Sequence, residues 1–385
     1  MSVVINEHRI YLSDHARLAA YSAAISQAVR PGDVVLDLGC GTGILGLLAC
    51  RAGAARVYAI DATGMIEIAR RLARDNGFTD RIVHLNTLSL DARLPEPVDV
   101  VMCDQMGCFG IDAGVVEYMT DARERFLKPG GTLIPQRLTL TVAAVEKTDL
   151  RPQVEFWNTA PAGFEFGCVR KWAVNNSYAT KFQTGQFLCE PVPGTTLDLQ
   201  SASTHAFTFA VALHVERSGT FEGIAGWFSA ELAPGVTMSN SPLDADAIDR
   251  HAAFFPVDRP VPVRGGDVID LELHIIPLEK VVTWKASVRR HLEGDDAQAG
   301  PVAAFVHSTF NGLLMAREHL LKTRPSFQPT LTRRGHARAS ALALCNGQRP
   351  LTEIEETLFE TYQDVFPRRD QLSAFLSELV TRDTE

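Results

Sequence analysis

The sequence predicts an α/β chain in which a parallel-sheet domain comes first, a β-barrel domain follows and a small helical module ends the chain. Three observations predict this order. Buried-strand and helix patterns alternate to about residue 135, strand patterns with turn-rich breaks run to about residue 290, and amphipathic helical patterns fill the rest. Strands that alternate with helices form parallel sheets with right-handed crossovers. The predicted domains are therefore residues 1–135, 136–290 and 291–385.

Composition narrows the class of protein. Of the 385 residues, 46% are apolar and 22% are charged, which is ordinary for a globular chain with more than one core. The net charge of −9 argues against a general nucleic-acid binder. No apolar run has the length of a membrane span, and the first residues lack a signal-peptide core. The seven cysteines are scattered without CxxC pairs, so we expect reduced thiols, no metal site and a cytoplasmic protein.

The stretch 34–49, VVLDLGCGTGILGLLA, carries the strongest local signal. It opens with an apolar run typical of a buried parallel strand and continues, after a turn, with helical periodicity. The turn places Gly39, Gly41 and Gly43 within five residues. Glycine tolerates positive φ and lets a ligand approach the backbone closely. The stretch therefore predicts a ligand site at the carboxyl edge of the sheet, above a helix N-terminus.

The next predicted strand, 55–60, ends at Asp61, where a carboxylate accepts hydrogen bonds from ribose hydroxyls in nucleoside-binding folds. The turn reads DLGCGTG from Asp37, which differs from the G-x-G-x-x-G spacing of nicotinamide-binding domains. The glycine turn and the strand that ends at Asp61 together resemble the first two motifs of class I S-adenosylmethionine-dependent methyltransferases, which are Rossmann-like. The resemblance implies S-adenosylmethionine as cofactor and S-adenosylhomocysteine as product. The cofactor contacts that it implies are Asp37, Gly39, Cys40, Gly41, Thr42, Gly43, Asp61, Ala62, Ser89 and Leu90.

The segment before the first strand narrows the resemblance to one branch. Helical spacing runs over 11–29, with Ser13 or Asp14 as the expected N-cap. Protein arginine methyltransferases carry the pattern H-x-x-M-L-x-D-x-x-R-x-x-x-Y here. This chain is similar to that pattern at His8, Leu12, Asp14, Arg17 and Tyr21, with Tyr11 in place of the methionine. The resemblance implies that Arg17 pairs with the cofactor's carboxylate, which suits a forked guanidinium, and that His8 contacts the cofactor.

In that family two glutamates clamp the guanidinium of the acceptor, and this sequence departs from the pair. Met106-Gly107 matches the family's S-E-W-M-G. Asp104 stands at the position of the first glutamate, and Ala113 stands at the second, with Asp112 one place earlier. Either Asp112 or Glu117 restores the pair, or the acceptor is smaller than a peptidyl arginine or differs from it. We predict that Asp104 contacts both cofactor and acceptor and that Asp112 belongs to the catalytic set.

The β-rich region also resembles the family's barrel domain. The matches are Trp227-Phe228, Ser239, Ser241-Pro242 and Pro260 to Asp267. The family's T-H-W triplet falls here on Ile248, Asp249 and Arg250, so its histidine and tryptophan are replaced, although His251 lies next to it. Asp249 or His251 is a candidate proton acceptor near the transferred methyl group.

Residues 154–199 are rich in aromatic side chains, and the family inserts an arm near this point that reaches a second subunit. Exposed aromatics suit an interface, so we expect a homodimer; the alternative is that they fill the barrel's own core. Residues 284 to about 301 are expected to form a linker, and helical spacing is expected from residue 303 to residue 322. The terminal helices resemble modules with which bacterial modification enzymes hold a peptide; a brace for the barrel is the alternative.

The residues and the resemblance together predict an S-adenosylmethionine-dependent methyltransferase that acts on a nitrogen. The altered glutamate pair and the missing T-H-W favour a small-molecule amine or guanidine acceptor. A protein arginine methyltransferase is the alternative within the enzyme class. A cofactor-binding scaffold without catalytic activity is the alternative outside it.

Overall fold

The computed structural model of this chain describes residues 3–291 and 300–384. It separates into two compact units, Met1–Leu313 and Leu314–Glu385. The first elements are α1 (Val3–Ser13), α2 (His15–Ala28), β1 (Val34–Leu38), α3 (Ile44–Ala52), β2 (Arg56–Ile60), α4 (Met65–Asp75), β3 (Ile82–Leu85), β4 (Val98–Cys103), α5 (Val115–Arg125) and β5 (Leu127–Ile134). The first unit continues with β6 (Arg137–Val145), α6 (Arg151–Glu155), α7 (Arg170–Ala173), β7 (Tyr178–Thr180), β8 (Val192–Asp198), β9 (Phe207–His214), β10 (Gly219–Ala233), β11 (Val236–Ser239), β12 (Ala252–Val263), β13 (Val268–Ile276), β14 (Val281–Arg289) and β15 (Ala303–Ser308). The second unit contains α8 (Arg317–Lys322), α9 (Arg333–Leu344), α10 (Leu351–Thr361) and α11 (Arg369–Asp383).

The predicted parallel sheet is confirmed. Its strands lie in the order β3-β2-β1-β4-β5, and each neighbouring pair is parallel. The register pairs Leu38 with Ile60 on one side and with Cys103 on the other. Three strands therefore end at the same level, so the glycine turn, Asp61 and Asp104 all follow at one edge of the sheet.

The helical segment before the first strand is divided into α1 and α2, whereas the sequence predicted one helix over 11–29. The division occurs at Asp14, which has an extended backbone and whose carboxylate accepts a hydrogen bond from the Arg17 N–H at 3.0 Å. The expected cap at Ser13 or Asp14 is thus confirmed at Asp14. A side chain that captures the N–H three residues ahead starts a new helix, and periodicity alone does not show this.

The β-rich part consists of two antiparallel sheets. One has the order β7-β12-β10-β6-β8, with β11 paired to β10, and the other has the order β15-β14-β13-β9. The sheets approach each other where β8 meets β9 and where β12 meets β15, which makes the assembly barrel-like. Phe255 of one sheet and Trp284 of the other are buried against each other, with ring centroids 5.3 Å apart. Burial of such large aromatic side chains contributes much of the core's stability.

The prediction of helical spacing over 303–322 was wrong in its first part, which is strand β15. Along β15, Ala303, Phe305 and His307 are buried while the residues between them are exposed. That alternation has a period of two, and the strand completes the second antiparallel sheet beside β14. The linker predicted from residue 284 was wrong in its first part, since residues 284–289 belong to strand β14. Residues 292–299 of the predicted linker lie outside the described residues.

The second unit is helical, as predicted, and has its own core. Its buried side chains include Leu358 of α10, Phe366 and, on α11, Leu372 and Leu376, and Ala341 of α9 packs against them. The described helices of the whole chain include none that is both long and apolar enough to cross a membrane.

Candidate active site

The glycine turn lies directly after β1. Gly39, Gly41 and Gly43 have φ values of 65°, 54° and 77°, so each occupies the left-handed region that disfavours other residues. A Cβ atom on Gly41 would lie 2.5 Å from the ring of His8, and one on Gly39 would collide with the side chain of Gln105. The turn is therefore closely covered by α1 on one side and by the loop after β4 on the other.

One cavity of about 460 Å³ lies over the ends of β1 and β2. The Asp61 carboxylate faces it and is held in place because its oxygens accept hydrogen bonds from the Gly41 and Thr63 N–H groups, both at 2.8 Å. The cavity is lined by Leu38, Gly39, Ile60, Asp61, Ala62, Thr63, Thr87, Leu88, Ser89, Leu90, Gln105, Glu117 and Tyr118. A carboxylate beside apolar loop residues is suited to a nucleoside.

Glu117 and Tyr118 of α5 belong to this cavity, which the sequence analysis missed. Glu117 was considered there only as a partner for Asp104 in the acceptor clamp, whereas the structure places it in the wall beside Asp61. In the sequence it is an acidic residue in the first turn of a helix. Such residues are common there because they interact favourably with the helix dipole, so nothing set it apart.

A second cavity of about 520 Å³ adjoins the first, since Gly39 and Gln105 belong to the walls of both. Its other walls come from α1, α2, the glycine turn, the 104–113 loop and the 249–251 loop. The predicted residues that line it are His8, Arg17, Asp37, Gly39, Cys40, Gly41, Thr42, Asp104, Asp112, Asp249 and His251. Gly43 is not in either wall; it precedes α3 and packs against Ala69.

Asp37 lies under the glycine turn and is 1% exposed. Its Oδ2 accepts a hydrogen bond from the Gly46 N–H at 3.0 Å, while Oδ1 has no partner within the described part of the chain. Burial raises the pKa of this carboxyl to about 7. A buried, unpaired carboxylate oxygen on a cavity wall fits a ligand that brings an ammonium group.

Asp104 follows β4 and is bound to α2. Arg17, which is 6% exposed, donates from Nε to Asp104 Oδ2 at 2.5 Å, and its Nη2 contacts the same carboxylate. The Tyr21 hydroxyl donates to Asp104 Oδ1 at 3.1 Å and to the Cys103 carbonyl at 3.0 Å. Burial, together with Asp104, raises the pKa of Tyr21 well above its usual value, so the phenol remains a donor.

Arg250 reaches Asp104 from the antiparallel sheets. Its side chain is 13% exposed, Nη1 donates to the Met106 carbonyl, and Nη2 lies 3.5 Å from Asp104 Oδ1. The guanidinium also lies over the ring of Tyr11, 6.0 Å from its centroid. In the sequence, Arg250 stands out only as a replacement in the T-H-W triplet, a position that predicted no role for it.

The other acidic residues near Asp104 are held by protein groups. Asp112 accepts hydrogen bonds from the Cys108 and Phe109 N–H groups at 2.9 and 2.8 Å, so it shapes the loop that follows Asp104. The Asp249 carboxylate contacts Lys181, and both of these side chains are exposed. Both carboxylates line the second cavity together with Asp104.

His251 lines the second cavity with an exposed side chain. Its carbonyl accepts a hydrogen bond from Asn240 Nδ2 at 2.8 Å, and the same amide group donates to the Cys108 carbonyl at 2.8 Å. Asn240 thus ties the 249–251 loop to the loop after β4. Among the described residues, no three His, Cys, Asp or Glu side chains are grouped as metal ligands.

Comparison with known proteins matches two consecutive segments of the first unit to two different family descriptions. Residues 15–136 match the ribosomal protein L11 methyltransferase (PrmA) family, and residues 136–286 match the arginine methyltransferase oligomerization subdomain. Together with the relatives named below, these matches support a class I S-adenosylmethionine-dependent methyltransferase of the protein arginine methyltransferase-like branch. The predicted family and cofactor are thereby confirmed.

Members of this branch resemble the chain over most of its first unit. It is 29% identical over 273 residues to the arginine N(omega)-methyltransferase of Streptomyces achromogenes subsp. streptozoticus, which covers 69% of this chain and 75% of that protein. It is 30% identical over 231 residues to protein arginine N-methyltransferase 1.1 of Arabidopsis thaliana, covering 58% of this chain and 59% of that protein.

Solved structures of the branch share the fold. The Trypanosoma brucei PRMT1 enzyme–prozyme heterotetrameric complex with AdoHcy aligns with a TM-score of 0.67 at 21% identity, covering 78% of this chain and 97% of that chain. Arabidopsis thaliana protein arginine methyltransferase 10 aligns with a TM-score of 0.66 at 22% identity, with the same coverage.

We expect Asp104→Ala to lower the free energy of unfolding by about 3 to 5 kcal/mol, because it leaves the buried Arg17 guanidinium without a partner. Asp270→Ala is the matched control, since it breaks an exposed pair with Arg289 and should cost at most about 1 kcal/mol. Denaturant unfolding measures both. Adding Arg17→Met to Asp104→Ala should restore part of the loss, and equal costs for the two single variants would contradict the assignment.

Proposed function

We propose that this chain transfers a methyl group from S-adenosylmethionine to a guanidino nitrogen of arginine, in the first place an arginine within a polypeptide. The observation that supports this most directly is the pair of adjoining cavities, with the Asp61 carboxylate in one and Asp104 in the other. The first suits a nucleoside, and the second presents a carboxylate to a cationic acceptor.

The residues fit the cofactor in three places. Asp61 would accept hydrogen bonds from the ribose hydroxyls, and the unpaired Oδ1 of Asp37 would accept from the α-ammonium group. Arg17 would hold the carboxylate, since its guanidinium lies in the wall of the second cavity. His8 covers the glycine turn, and Ser89 lines the nucleoside end where the adenine would lie.

The bound cofactor supplies an electrophilic methyl group that is displaced in line by a nitrogen lone pair. The protein's own contribution is alignment and exclusion of water. Asp104 would orient the acceptor guanidinium by a charge-assisted hydrogen bond and stabilise it as the methyl group is added. Asp249 and His251 lie in the wall of the same cavity and are the candidates for receiving the proton.

The comparisons favour a peptidyl arginine over the small-molecule acceptor that the sequence analysis preferred. Relatives from Arabidopsis thaliana and Dictyostelium discoideum are protein arginine N-methyltransferases, and the latter covers 71% of this chain. The Streptomyces relative is an arginine N(omega)-methyltransferase. A guanidino acceptor is common to all of these names, so it is the part of the proposal with the broadest support.

The proposed activity predicts that the chain, given labelled S-adenosylmethionine, transfers the label to arginine-containing peptides or to arginine. Transfer is measured by intact mass and by radiolabel in separated protein and small-molecule fractions. S-adenosylhomocysteine should accumulate in equal amount. Cofactor binding without transfer to any guanidino acceptor would instead support a non-catalytic scaffold.

A pair of aspartate variants provides the control for this assay. Asp61→Ala should weaken binding of S-adenosylhomocysteine by about 1.5 to 3 kcal/mol, the contribution of hydrogen bonds to a charged group. Asp80→Ala removes an exposed carboxylate outside both cavities and should leave binding unchanged. Equal affinities for the two variants would show that the ribose is held elsewhere.

The raised pKa of Asp37, about 7, predicts a pH dependence of cofactor binding. Only the ionised carboxylate pairs with the α-ammonium, so affinity for S-adenosylhomocysteine should rise about tenfold between about pH 6 and about pH 8.

The stability of the ligand-free protein should change with pH in the opposite direction. Its folded state holds the proton more tightly than the unfolded state does, so its free energy of unfolding falls as pH rises through about 7. In Asp37→Asn, neither the affinity for S-adenosylhomocysteine nor the free energy of unfolding should show this pH dependence. Calorimetric titration measures the first and denaturant unfolding the second.

We further propose that the chain forms a homodimer through the segment 154–199. Val154, Ala173 and Val174 form a small core there with Trp157, while Phe156 and Phe164 remain 48% and 69% exposed. Exposed aromatics beside a small local core are typical of an interface. The match of residues 136–286 to an oligomerization subdomain supports this.

The dimer proposal predicts that sedimentation velocity finds a dimer and that Phe164→Asp dissociates it, because the substitution places a charge in an apolar contact. Leu278→Asp is the control, since Leu278 is 54% exposed in the turn between β13 and β14. A wild-type monomer at micromolar concentration would refute the proposal.

A further inference from the structure

Arg250 is a largely buried cation for which the proposed reaction gives no role. It enters the second cavity from the loop between β11 and β12, at the end where the acceptor guanidinium would lie. Its own guanidinium donates to the Met106 carbonyl and lies 3.5 Å from Asp104. The cavity therefore already contains a protein guanidinium beside the carboxylate that an arginine acceptor needs.

Asp104 has little capacity for another cation while Arg250 is present. Arg17 contacts Asp104 Oδ2 through two nitrogens, and Tyr21 donates to Oδ1 at 3.1 Å. Arg17 is further fixed by a hydrogen bond of 3.3 Å to the Tyr11 carbonyl. An incoming guanidinium must therefore take the place of Arg250, since two guanidinium groups at one oxygen repel each other.

The protein offers a displaced Arg250 no free carboxylate among the described residues of this cavity. Asp112 is bound to two backbone N–H groups, and Asp249 contacts Lys181. Glu7 accepts a hydrogen bond from the Tyr11 hydroxyl at 2.7 Å. The unpaired oxygen of Asp37 is assigned to the cofactor under the proposed function. A buried guanidinium without a counter-charge is costly, so a carboxylate that arrives with the ligand would stabilise Arg250, in addition to Asp244 and Asp249 of the adjoining side cavity.

Space for that anion exists next to Arg250. A side cavity of about 260 Å³ is lined by Arg250 and Asp249, which it shares with the second cavity, and by Lys181. Asn240 and Ser241 also line it. Two carboxylates, Asp244 and Asp249, face this cavity beside Arg250 and Lys181, so its formal charges balance. A forked guanidinium binds a carboxylate through two parallel hydrogen bonds.

We propose that Arg250 is a specificity-determining residue that binds a carboxylate of the acceptor, so that the enzyme selects guanidino compounds carrying a carboxylate close to the guanidino group. This inference rests on the proposed function for the position of the guanidinium at Asp104. Two sources have the required chemistry: an arginine with an acidic neighbour in a peptide, and free arginine with its own α-carboxylate.

The test measures binding to the full chain saturated with S-adenosylhomocysteine, so it does not depend on turnover. Calorimetry compares L-arginine with agmatine, which lacks the carboxylate, and a capped Gly-Asp-Arg-Asp-Gly peptide with a capped Gly-Gly-Arg-Gly-Gly peptide. In at least one pair, the carboxylate-bearing ligand should bind about tenfold to a hundredfold more tightly, the range expected for a hydrogen-bonded ion pair. The pair that shows the difference identifies the source.

Arg250→Gln should abolish that preference, because it removes the charge and keeps a polar side chain. Arg259→Gln is the matched control: it removes one positive charge from an exposed position on β12, outside the cavities, and should keep the preference. Arg250→Glu should reverse the preference, since it places a second carboxylate beside Asp104. Affinity for S-adenosylhomocysteine should stay unchanged in all three variants.

Three results would overturn the inference. They are equal binding within both ligand pairs, a preference that persists in Arg250→Gln, and a loss of S-adenosylhomocysteine affinity in that variant, which would place Arg250 in the cofactor site. Absence of binding by every guanidino ligand would overturn it as well. A preference that depends on Arg250 without methyl transfer would support this inference and reject the proposed activity, so the two failures are distinguishable.

Discussion

The buried ion pair between Asp104 and Arg17 is the interaction on which the rest of the site depends. Taking two charges out of water is costly, and the cost is offset only where further hydrogen bonds satisfy both groups. Tyr21 and the Tyr11 carbonyl supply those bonds, on the carboxylate and on the guanidinium respectively. The helices before the sheet are thereby fixed to the end of β4, and α1 is held over the glycine turn.

A second set of polar contacts joins the antiparallel sheets to the same edge. Asp14 caps α2 with one oxygen and accepts the Asp249 N–H with the other at 2.8 Å. Asn240 connects the Cys108 and His251 carbonyls. The 249–251 loop therefore enters the crevice at a defined position although it lies far from Asp104 in the sequence. Recognition of the acceptor can vary through this loop while the nucleoside end stays the same.

The sequence was sufficient to predict those parts that depend on local pattern. The glycine spacing and the position of Asp61 one strand later gave the sheet edge and the nucleoside site, because strand ends and turns are local features. The partners of Asp104 were not predictable in this way. Arg250 lies 146 positions away, and its approach depends on how the antiparallel sheets sit against the parallel one. Strand β15 was missed because a short apolar run is compatible both with the two-residue period of a strand and with the 3.6-residue period of a helix.

The family motif predicted where an acidic residue lies near the site, but it did not predict what the carboxylate of that residue binds. Asp112 lies next to the place of the missing glutamate, yet its carboxylate holds the backbone of its own loop. A side chain of that length, four residues after Cys108, readily closes a local turn instead of facing a ligand. The contacts of Arg250 with Met106 and Asp104, by contrast, are ones that only the folded chain brings together.

The shared wall between the two cavities has a practical consequence. Gly39 and Gln105 border both spaces, and the Gln105 side chain occupies the position that a Cβ on Gly39 would take. A compound that joins an adenosine to a guanidino carboxylate through a short linker would occupy both at once. Binding of its second half would then be intramolecular, with a high effective concentration. Such a bisubstrate inhibitor would reach beyond the nucleoside pocket that class I methyltransferases share and would gain selectivity from the loop that carries Arg250.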